Sequence, residues 1–295
     1  MTDAHTHIFF PEAIANRESY FHDHAFSLLY NSPRSIIADA QTLYEYMDRS
    51  QITTAFVFGF CWKDIESCVK HNDYLINTST ASTRPFATLP PKPGTGTDRL
   101  FKQIAGLPFT GIGEITFYTE IMSDNTFSYL RDIFTFAHEQ QLILSLHINE
   151  PVGHEYPGKY HTPFDLLYSL ITEFPDVDII LSHWGGGLFV YELMPEVRSV
   201  FKRVYYDTAA SPFLYEPSVY HHAMSIAGEE KVLFGTDFPL LRPDRYLRDI
   251  GASGLSDSRR EKLLSLNAQN LLERHRQGNR QHRRNDQNTE QGRDN

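Results

Sequence analysis

The strongest constraint on the fold is a set of short apolar segments that recurs along most of the 295-residue chain. The segments are rich in β-branched and aromatic residues, and several lack the polar–apolar alternation of a half-exposed strand. Such runs are typical of strands buried on both faces of a parallel sheet. Eight strands are predicted in this way: Met1–Ala4, Thr53–Phe58, Pro85–Leu89, Thr110–Ile115, Leu142–Ile148, Asp178–Ser182, Val204–Tyr206 and Val232–Phe234.

Segments with helical periodicity lie between several of these strands. In one of them Phe127, Leu130, Phe134 and Ala137 recur at three- and four-residue spacing. Strands that alternate with helices indicate an α/β protein, and about eight such units indicate a closed (β/α)8 TIM barrel. An open doubly wound sheet is the main alternative, but no glycine-rich dinucleotide turn follows an early strand. The predicted helices are Thr42–Arg49, Thr126–Gln140, Thr162–Phe174, Arg259–Leu266 and Ala268–Arg274.

Two longer connections and a polar tail interrupt this pattern. His5–Asp39 follows the first strand, and Asn149–His161 follows the fifth. Because loops after strands build the active-site face of a barrel, both are candidate substrate loops. We expect one barrel domain over residues 1–275. Residues 276–295 are nearly devoid of apolar side chains, so we expect a disordered tail there.

Side chains that commonly bind metals stand at the ends of four predicted strands. His5 and His7 form an H-x-H pair after the first strand, and side chains two apart on a strand point to the same side. His147, His183 and Asp237 each end another apolar run. A hydrogen-bonded polar residue at a strand end would explain any one of them. The whole set is harder to explain in that way, because the strand ends of a barrel converge on one place.

Imidazole and carboxylate groups gathered in one place predict a divalent metal site. These ligands suit Zn²⁺, Mn²⁺ or Fe²⁺ and leave room for a bound water. We expect Zn²⁺, with the choice between one and two ions left open. A divalent ion lowers the pKa of its bound water from about 16 to about 7, so that hydroxide forms at neutral pH.

Four motifs, taken in order, resemble the amidohydrolase superfamily. They are Asp3-Ala4-His5-Thr6-His7, the strand-ending His147, Ser182-His183-Trp184-Gly185-Gly186-Gly187 and Gly235-Thr236-Asp237-Phe238-Pro239. The sequence is most similar to the amidohydrolase-related branch that includes aminocarboxymuconate semialdehyde decarboxylase and several lactonases. Each motif is weak alone, but the ordered set spans roughly residues 1–274 and is specific.

The resemblance implies a role for each of these residues. His5, His7, His147 and Asp237 would ligate the metal, and Asp237 would also accept the proton of its bound water. His183 would lie beside the metal, either as a ligand of a second ion or as the group that polarises the substrate.

Glu114 bears on the number of ions, because it stands at the end of the fourth strand. The decarboxylase-like members of the superfamily are not characterised by a glutamate there. TatD-like nucleases and other two-metal hydrolases do place a bridging or ligating group on that strand. Glu114 is therefore a candidate metal ligand, and the alternative is a carboxylate that orients a histidine ligand.

Two residues are candidates for substrate contacts. Arg242 closely follows the eighth strand and could hold a carboxylate or phosphate through its planar guanidinium, although a salt bridge within its loop is an equal alternative. Trp184 could form a wall of the pocket or pack beneath the glycine-rich turn that follows it.

These residues predict an enzyme, and three reactions fit them. Hydrolysis of a small amide, lactone or ester by a metal-activated water is the leading hypothesis. The alternatives are non-oxidative decarboxylation of an aromatic or unsaturated acid and phosphodiester cleavage of the TatD kind. A barrel that only binds metal or a partner is disfavoured, because clustered imidazole and carboxylate groups are costly without a use.

Charge and composition limit the partners. The formal net charge of −10 argues against binding to long nucleic acids or acidic membranes. No basic, apolar secretory signal opens the chain, and no apolar run approaches the length of a membrane span. We therefore expect a cytoplasmic protein that acts on a small molecule, and a homodimer is left open.

Overall fold

The computed structural model describes residues 1–117 and 123–278, and its centre is a closed barrel of parallel strands. Each strand pairs in parallel with the next along the chain. The barrel closes where the backbone N–H groups of Ala4 and His7 donate to the carbonyls of Phe234 and Phe238, each at 2.7 Å. The strands are β1 Thr2–His7, β2 Thr54–Phe58, β3 Thr83–Ala87, β4 Gly111–Ile115, β5 Ile143–Leu146, β6 Ile179–Leu181, β7 Val204–Asp207 and β8 Val232–Leu233.

The predicted (β/α)8 barrel is thus confirmed, and all eight predicted strands are present with shifted ends. The largest shift is in β1, which continues through His7 instead of ending at Ala4. It continues because His7 still pairs with Phe58 of β2. The H-x-H pair therefore lies within the strand, not after it.

Helices surround the barrel, and several begin at a side-chain cap. The carboxylate of Asp64 accepts the backbone N–H of Ser67 at 2.7 Å, and Asp39 accepts that of Thr42 at 2.8 Å. A π-helical turn, Lys262–Leu266, leads into a last helix that runs from 267 to 278. The α-helices that precede it are α1 Pro11–Ala15, α2 His24–Tyr30, α3 Ala40–Arg49, α4 Ile65–Asn77, α5 Thr97–Ala105, α6 Asp124–Gln140, α7 Phe164–Glu173, α8 Pro195–Val200, α9 Ser211–Leu214, α10 Ser218–Ile226, α11 Pro243–Ala252 and α12 Asp257–Glu261.

The connection between β1 and α3 is more ordered than the predicted loop. It contains α1, a 3₁₀ turn and α2, which begins where Asp23 accepts the backbone N–H groups of Ala25 and Phe26. The ring of Phe26 packs on Trp62 with centroids 4.9 Å apart. Burial of aromatic rings against the barrel explains why this segment folds, and short helices of this kind leave little periodicity in a sequence.

Apolar side chains fill the barrel interior as well as the layer between strands and helices. The interior cluster includes Phe56, Phe58 and Phe86 and continues into Ala268 and Leu271 of the last helix. That helix therefore covers the end of the barrel opposite the candidate metal ligands.

Two other predictions concern the C-terminal tail and possible membrane-spanning helices. The predicted tail over 276–295 lies outside the described residues, except for 276–278, which belong to the last helix. Within the described ranges, none of the helices combines the length and apolar character that a bilayer crossing requires.

Candidate metal centre

The predicted metal ligands meet at the carboxyl end of the barrel. His5 and His7 lie in β1 and Glu114 lies in β4, while His147, His183 and Asp237 lie in the segments that follow β5, β6 and β8. Their donor atoms fall into two groups, His5–His7–Glu114 and Glu114–His147–His183, in each of which the atoms lie within 4.8 Å of one another. Asp237 belongs to neither group, but its Oδ1 lies 3.6 Å from Nε2 of both His5 and His7. The structure therefore brings together all six residues for which the sequence predicts a metal-binding role: His5, His7, Glu114, His147, His183 and Asp237.

The β1 histidines present the same ring nitrogen to this centre. The Nε2 atoms of His5 and His7 lie 3.0 Å apart. Their Nδ1 atoms face acceptors on the other side: His5 Nδ1 lies 2.8 Å from Asp207 Oδ2, and His7 Nδ1 lies 3.2 Å from the carbonyl of Gly59. With Nδ1–H committed as a donor, each neutral ring directs the lone pair of Nε2 towards the other. Such an arrangement fits one cation that both rings bind.

Asp207 ends β7 and was not among the predicted site residues. One carboxylate oxygen is hydrogen-bonded to His5, and the other accepts the backbone N–H groups of His183 at 2.9 Å and Ala209 at 3.0 Å. Asp207 thus orients a candidate ligand and fixes the start of the turn after β6. Its signal in the sequence was the same as that of Asp237, a carboxylate directly after an apolar run.

Glu114 lies between the two histidine groups. Its Oε1 atom is 3.0 Å from His147 Nδ1 and 3.4 Å from His183 Nε2, while Oε2 is 3.7 Å from His7 Nε2. Both oxygens of one carboxylate therefore face imidazole nitrogens from different strands. This placement fits a carboxylate that binds one cation or spans two.

His183 and Asp237 both adopt left-handed backbone conformations, with φ of 56° and 57°. Residues other than glycine seldom do so, and such conformations persist where the surroundings fix them. The backbone N–H of Asp237 donates to the carbonyl of His5 at 2.9 Å. The carboxylate of Asp237 then lies 3.6 Å from Nε2 of both His5 and His7.

Asp3 fixes the turn that carries Asp237. Fully buried, it accepts the backbone N–H of Thr236 at 3.0 Å and the Thr236 hydroxyl at 2.6 Å. It also accepts the hydroxyl of Tyr46. Burial raises the pKa of Asp3 to about 6, although these hydrogen bonds favour the carboxylate. Asp3 accordingly ties β1 to the end of β8.

The electrostatics of the centre favour a positive charge. Burial lowers the pKa of His5, but Asp207 and Glu114 outweigh burial and raise this pKa to about 10. Burial lowers the pKa of His183 too, and Glu114 more than offsets it, so that the pKa rises to about 9. Burial opposes ionisation of Glu114, yet His147 and His5 hold its pKa well below the usual range. The carboxylates therefore attract either protons or a metal ion to the imidazoles.

The spacing of the donors also fits a divalent ion. Ligands about 2.1 Å from a common ion lie roughly 3.0–3.4 Å from one another in octahedral or tetrahedral geometry. The imidazole and carboxylate atoms of this centre are 3.0–3.8 Å apart. Nitrogen and oxygen donors of this kind suit Zn²⁺, Mn²⁺ or Fe²⁺.

The centre opens into a cavity of about 630 Å³. His7, Glu114, His147, His183 and Asp237 line it. Both predicted substrate loops contribute to its walls: the connection after β1 through residues such as Tyr30, and the connection after β5 through residues such as His154, Tyr156 and Pro157.

The cation at this cavity is Arg34, not the predicted Arg242. Among the described residues, Arg34 is the one arginine or lysine that lines the cavity. The segment that carries it is held by Arg17, whose guanidinium donates to the carbonyls of Tyr30, Ser32 and Ser35. Arg34 and Arg242 are both exposed, but Arg242 does not line the cavity. Arg34 lies far from any strand end, so the criterion of a polar residue closing an apolar run could not find it.

Trp184 does not line the cavity either, so of its two predicted roles, a wall of the pocket or packing, the structure shows packing. Its side chain is fully buried, its indole N–H donates to the Ser211 hydroxyl at 2.9 Å, and its ring packs edge-on against Tyr220. The turn after β6 directs it between helices because its backbone is left-handed at this position.

His71 lies in α4 and is fully buried beside the centre. Its Nε2–H donates to the carbonyl of Ile8 at 2.8 Å, and its Nδ1 accepts the indole N–H of Trp62 at 2.8 Å. These partners assign a neutral ring, and burial lowers the pKa of His71 to about 3. The ring also packs against Gly59, whose carbonyl faces His7.

A TIM barrel with a histidine–carboxylate centre at its carboxyl end defines a class of metal-dependent enzymes. The sequence model described as amidohydrolase matches residues 2–274. The chain therefore belongs to the amidohydrolase family. It is an enzyme of the amidohydrolase superfamily, and a divalent metal is its cofactor. No functionally curated protein matches the chain.

Solved structures share this fold at low sequence identity. A 5-carboxyvanillate decarboxylase from Sphingomonas paucimobilis has a TM-score of 0.71 at 15% identity, over 92% of this chain and 98% of that one. A 2,6-dihydroxybenzoate decarboxylase from Rhizobium has a TM-score of 0.66 at 18% identity, over 92% and 98%. A 5-carboxyvanillate decarboxylase from Novosphingobium aromaticivorans, complexed with manganese and 4-hydroxy-3-methoxy-5-nitrobenzoic acid, has a TM-score of 0.69 at 16% identity, over 92% and 95%.

Proposed function

We propose that this protein is a metal-dependent decarboxylase of aromatic carboxylic acids, with Mn²⁺ as readily used as Zn²⁺. The hydrolase hypothesis drawn from the sequence takes second place. The shared fold of the aromatic-acid decarboxylases favours this order, since three of the similar structures are decarboxylases. Fold likeness alone does not carry function on a barrel, so the cavity must distinguish the candidate reactions.

The observation that carries the proposal is the division of the cavity into a charged floor and apolar walls. The metal centre forms the floor, and Phe60, Leu29 and Leu214 are among the walls. Flat aromatic rings pack well between such side chains. Arg34 supplies a planar cation suited to a carboxylate or phenolate. An aromatic acid can therefore place its ring among the walls and its anionic groups between floor and Arg34.

The reaction exchanges a carboxylate for a proton, because loss of CO₂ leaves an electron pair on a ring carbon that a proton must take up. His5, His7, Glu114, His147 and Asp237 would hold the metal. When bound, the metal supplies positive charge that anchors the anionic substrate. Asp237, itself one of these ligands, and His183 both line the cavity and are the groups placed to hold and deliver the proton. The apolar side chains of the walls would pack against the ring.

One observation favours hydrolysis as the second candidate. Glu114 places its two oxygens towards histidines of different strands, as a carboxylate between two ions would. A pair of ions suits the activation of water for attack on an amide, lactone, ester or phosphodiester. Measurement of metal content per chain separates the two arrangements, with two ions favouring hydrolysis and one favouring decarboxylation.

A substrate panel tests the proposal directly. The protein, loaded separately with Mn²⁺ and Zn²⁺, is assayed for CO₂ release from hydroxybenzoates and carboxyvanillate, and for hydrolysis of lactones, esters and amides. We expect CO₂ release from one or more hydroxylated aromatic acids and its loss in Asp237→Asn. Turnover confined to the hydrolysis panel would overturn the proposal.

The arginine assignment is tested in the same assay. Arg34→Ala is expected to raise KM for an aromatic acid by about tenfold or more, because it removes a charged hydrogen-bond donor. If Arg242→Ala raises KM and Arg34→Ala does not, the substrate carboxylate binds Arg242, as the sequence predicts, and the assignment to Arg34 is wrong.

A further inference from the structure

Three large apolar side chains stand exposed around the cavity mouth. Ile36 is 62% exposed, Phe213 52% and Leu240 51%, and all three line the cavity. Scattered exposed apolar residues are ordinary on a protein surface. These three line one cavity that leads to the metal centre, and the Arg245 guanidinium lies over the ring of Phe213 with 4.8 Å between Cζ and the ring centroid. Exposed apolar side chains grouped at the mouth of a cavity are typical of a ligand-binding surface.

The three residues form one arc because they come from neighbouring strands of the closed barrel. Phe213 lies in α9 after β7, Leu240 follows β8, and Ile36 lies in the connection after β1. The bridge between Thr6 and Phe238 brings β8 next to β1. We call Ile36, Phe213 and Leu240 the apolar rim.

The apolar rim continues inwards along the cavity wall. Leu29 lies in the same connection as Ile36, and Leu214 follows Phe213; both are partly buried and both line the cavity. The facing wall, formed by the connection after β5, is different. It contributes His154 and Tyr156, which have polar tips. Large exposed apolar side chains therefore lie on the β7–β8–β1 side of the mouth, and the wall after β5 contributes polar groups.

The volume of the cavity also indicates a ligand larger than one aromatic ring. A closed apolar cavity of about 150 Å³ suffices to hold benzene, and pockets of roughly 300–1,000 Å³ hold drug-sized ligands. At about 630 Å³ this cavity has room for considerably more than one ring with a carboxylate.

We infer that the substrate is an aromatic acid with an apolar extension, a second ring or an alkyl chain, and that the extension lies against the apolar rim. This inference rests on the proposed function for the identity of the acid. It adds a specificity site on the β7–β8–β1 side of the mouth. Removing the extension from water would contribute binding energy at a distance from the reacting carboxylate.

Binding measured without turnover tests the inference. The probes are 2-nitrophenol and its derivatives that carry a phenyl or butyl group at each free ring position; the nitro group replaces the carboxylate, so no CO₂ can be released. Titration calorimetry uses the full-length Mn²⁺-loaded protein. At least one extended probe is expected to bind about tenfold or more tightly than 2-nitrophenol, since one buried methylene can contribute as much.

Matched variants assign the gain to the apolar rim. Ile36→Ser, Phe213→Ser and Leu240→Ser should each reduce the preference for the extended probe and leave the affinity for 2-nitrophenol unchanged within about twofold. Leu193→Ser is the control, because Leu193 is 64% exposed and does not line the cavity. Phe213→Leu should keep much of the preference, which separates loss of apolar surface from misfolding.

Each other outcome contradicts the inference. Equal affinity for compact and extended probes, or a preference retained in all three serine variants, overturns it. A dimer that the serine variants dissociate, found together with no probe preference, also overturns it, because a second copy of the chain would then cover the apolar rim.

Failure of the proposed decarboxylation is a distinguishable result, because the probe preference would persist in a protein that releases no CO₂. Conversely, CO₂ release with rim variants as active as wild type on every acid would reject only the specificity site.

Discussion

Asp207 holds His5 by a hydrogen bond of 2.8 Å between Oδ2 and Nδ1, and both side chains are fully buried. The contact spans the barrel wall from the end of β7 to β1. It leaves His5 Nε2 directed at the centre shared with His7, Glu114 and Asp237.

Substitution Asp207→Asn is therefore expected to weaken metal binding. Acceptors behind metal-bound histidines typically affect metal affinity by about 10–100-fold, because they fix the ring and raise its basicity. Titration with Mn²⁺ or Zn²⁺ measures the change. Asp178→Asn is the control, since Asp178 is a buried carboxylate that pairs with Arg203 and Arg274 away from the centre. Asp178→Asn should lower the free energy of unfolding and leave metal affinity unchanged. Equal metal affinities of wild type and Asp207→Asn would contradict the orienting role.

Metal binding is expected to release protons near pH 8. In the metal-free protein the carboxylates raise the pKa of His5 to about 10 and that of His183 to about 9, so an incoming cation must displace protons from these rings. Calorimetry in buffers of different ionisation enthalpy counts the protons, and the count should fall towards zero above pH 10. Binding at pH 8 with no dependence on the buffer would contradict this picture.

The same pKa values predict how the metal-free protein responds to alkali. A histidine whose pKa is raised in the folded state stabilises that state fully below its unfolded pKa of about 6.5. The stabilisation is lost as the pH rises through about 9 and 10. Denaturant unfolding of chelator-treated protein should show this loss between pH 7 and 10, and His5→Asn should reduce it. If the free energy of unfolding depends on pH in the same way in the wild type and in His5→Asn, the raised pKa of His5 is wrong.

The pKa of His71 is shifted in the opposite direction, so this residue affects the free energy of unfolding in acid. Burial lowers its pKa to about 3, so the folded state resists the proton that the unfolded chain binds below pH 6.5. Stability attributable to His71 is complete above that pH and falls by about 2 kcal/mol between pH 7 and pH 5. The glutamine of His71→Gln cannot titrate. Between pH 7 and pH 5 the free energy of unfolding of this variant should therefore fall by about 2 kcal/mol less than that of the wild type. Parallel stability profiles of wild type and His71→Gln would show that His71 is not buried as a neutral ring.

Gly235 is expected to tolerate no side chain. A Cβ atom there would lie 2.7 Å from Cβ of His5, closer than packed atoms approach. Gly235→Ala should displace β1 or β8, lower the free energy of unfolding by about 1–3 kcal/mol and weaken metal binding. Gly251→Ala is the matched control, because Gly251 lies in α11 with nothing within 4 Å of its added Cβ. The control should gain about 0.5–1 kcal/mol of stability from helix propensity. A Gly235→Ala protein with unchanged metal affinity would contradict the close packing.

Much of the barrel and its centre was predictable because both depend on strand ends. Apolar runs mark buried strands, and parallel strands of a barrel bring their carboxyl ends together, so His147, His183 and Asp237 could be placed near one another without coordinates. Asp207 met the same criterion and was overlooked. Glu114 was identified from the end of β4, and its position between the histidine groups needed the structure.

The residues that escaped prediction depend on packing between segments distant in the sequence. Arg34 lines the cavity only because α2 folds over the barrel mouth and Arg17 holds the following turn. His71 is buried because Trp62 and Ile8 satisfy its ring nitrogens, which no helical periodicity reveals. Trp184 turns away from the cavity because of the left-handed backbone after β6.

Anomalous diffraction from crystals of the Mn²⁺-loaded protein tests most directly whether these side chains share a metal. The expected result is a peak within about 2.0–2.3 Å of Nε2 of both His5 and His7, with Glu114 or Asp237 completing the ligands. A second peak between Glu114 and His183 would identify a two-ion centre. Manganese bound elsewhere, with none between His5 and His7, would contradict the proposed metal centre.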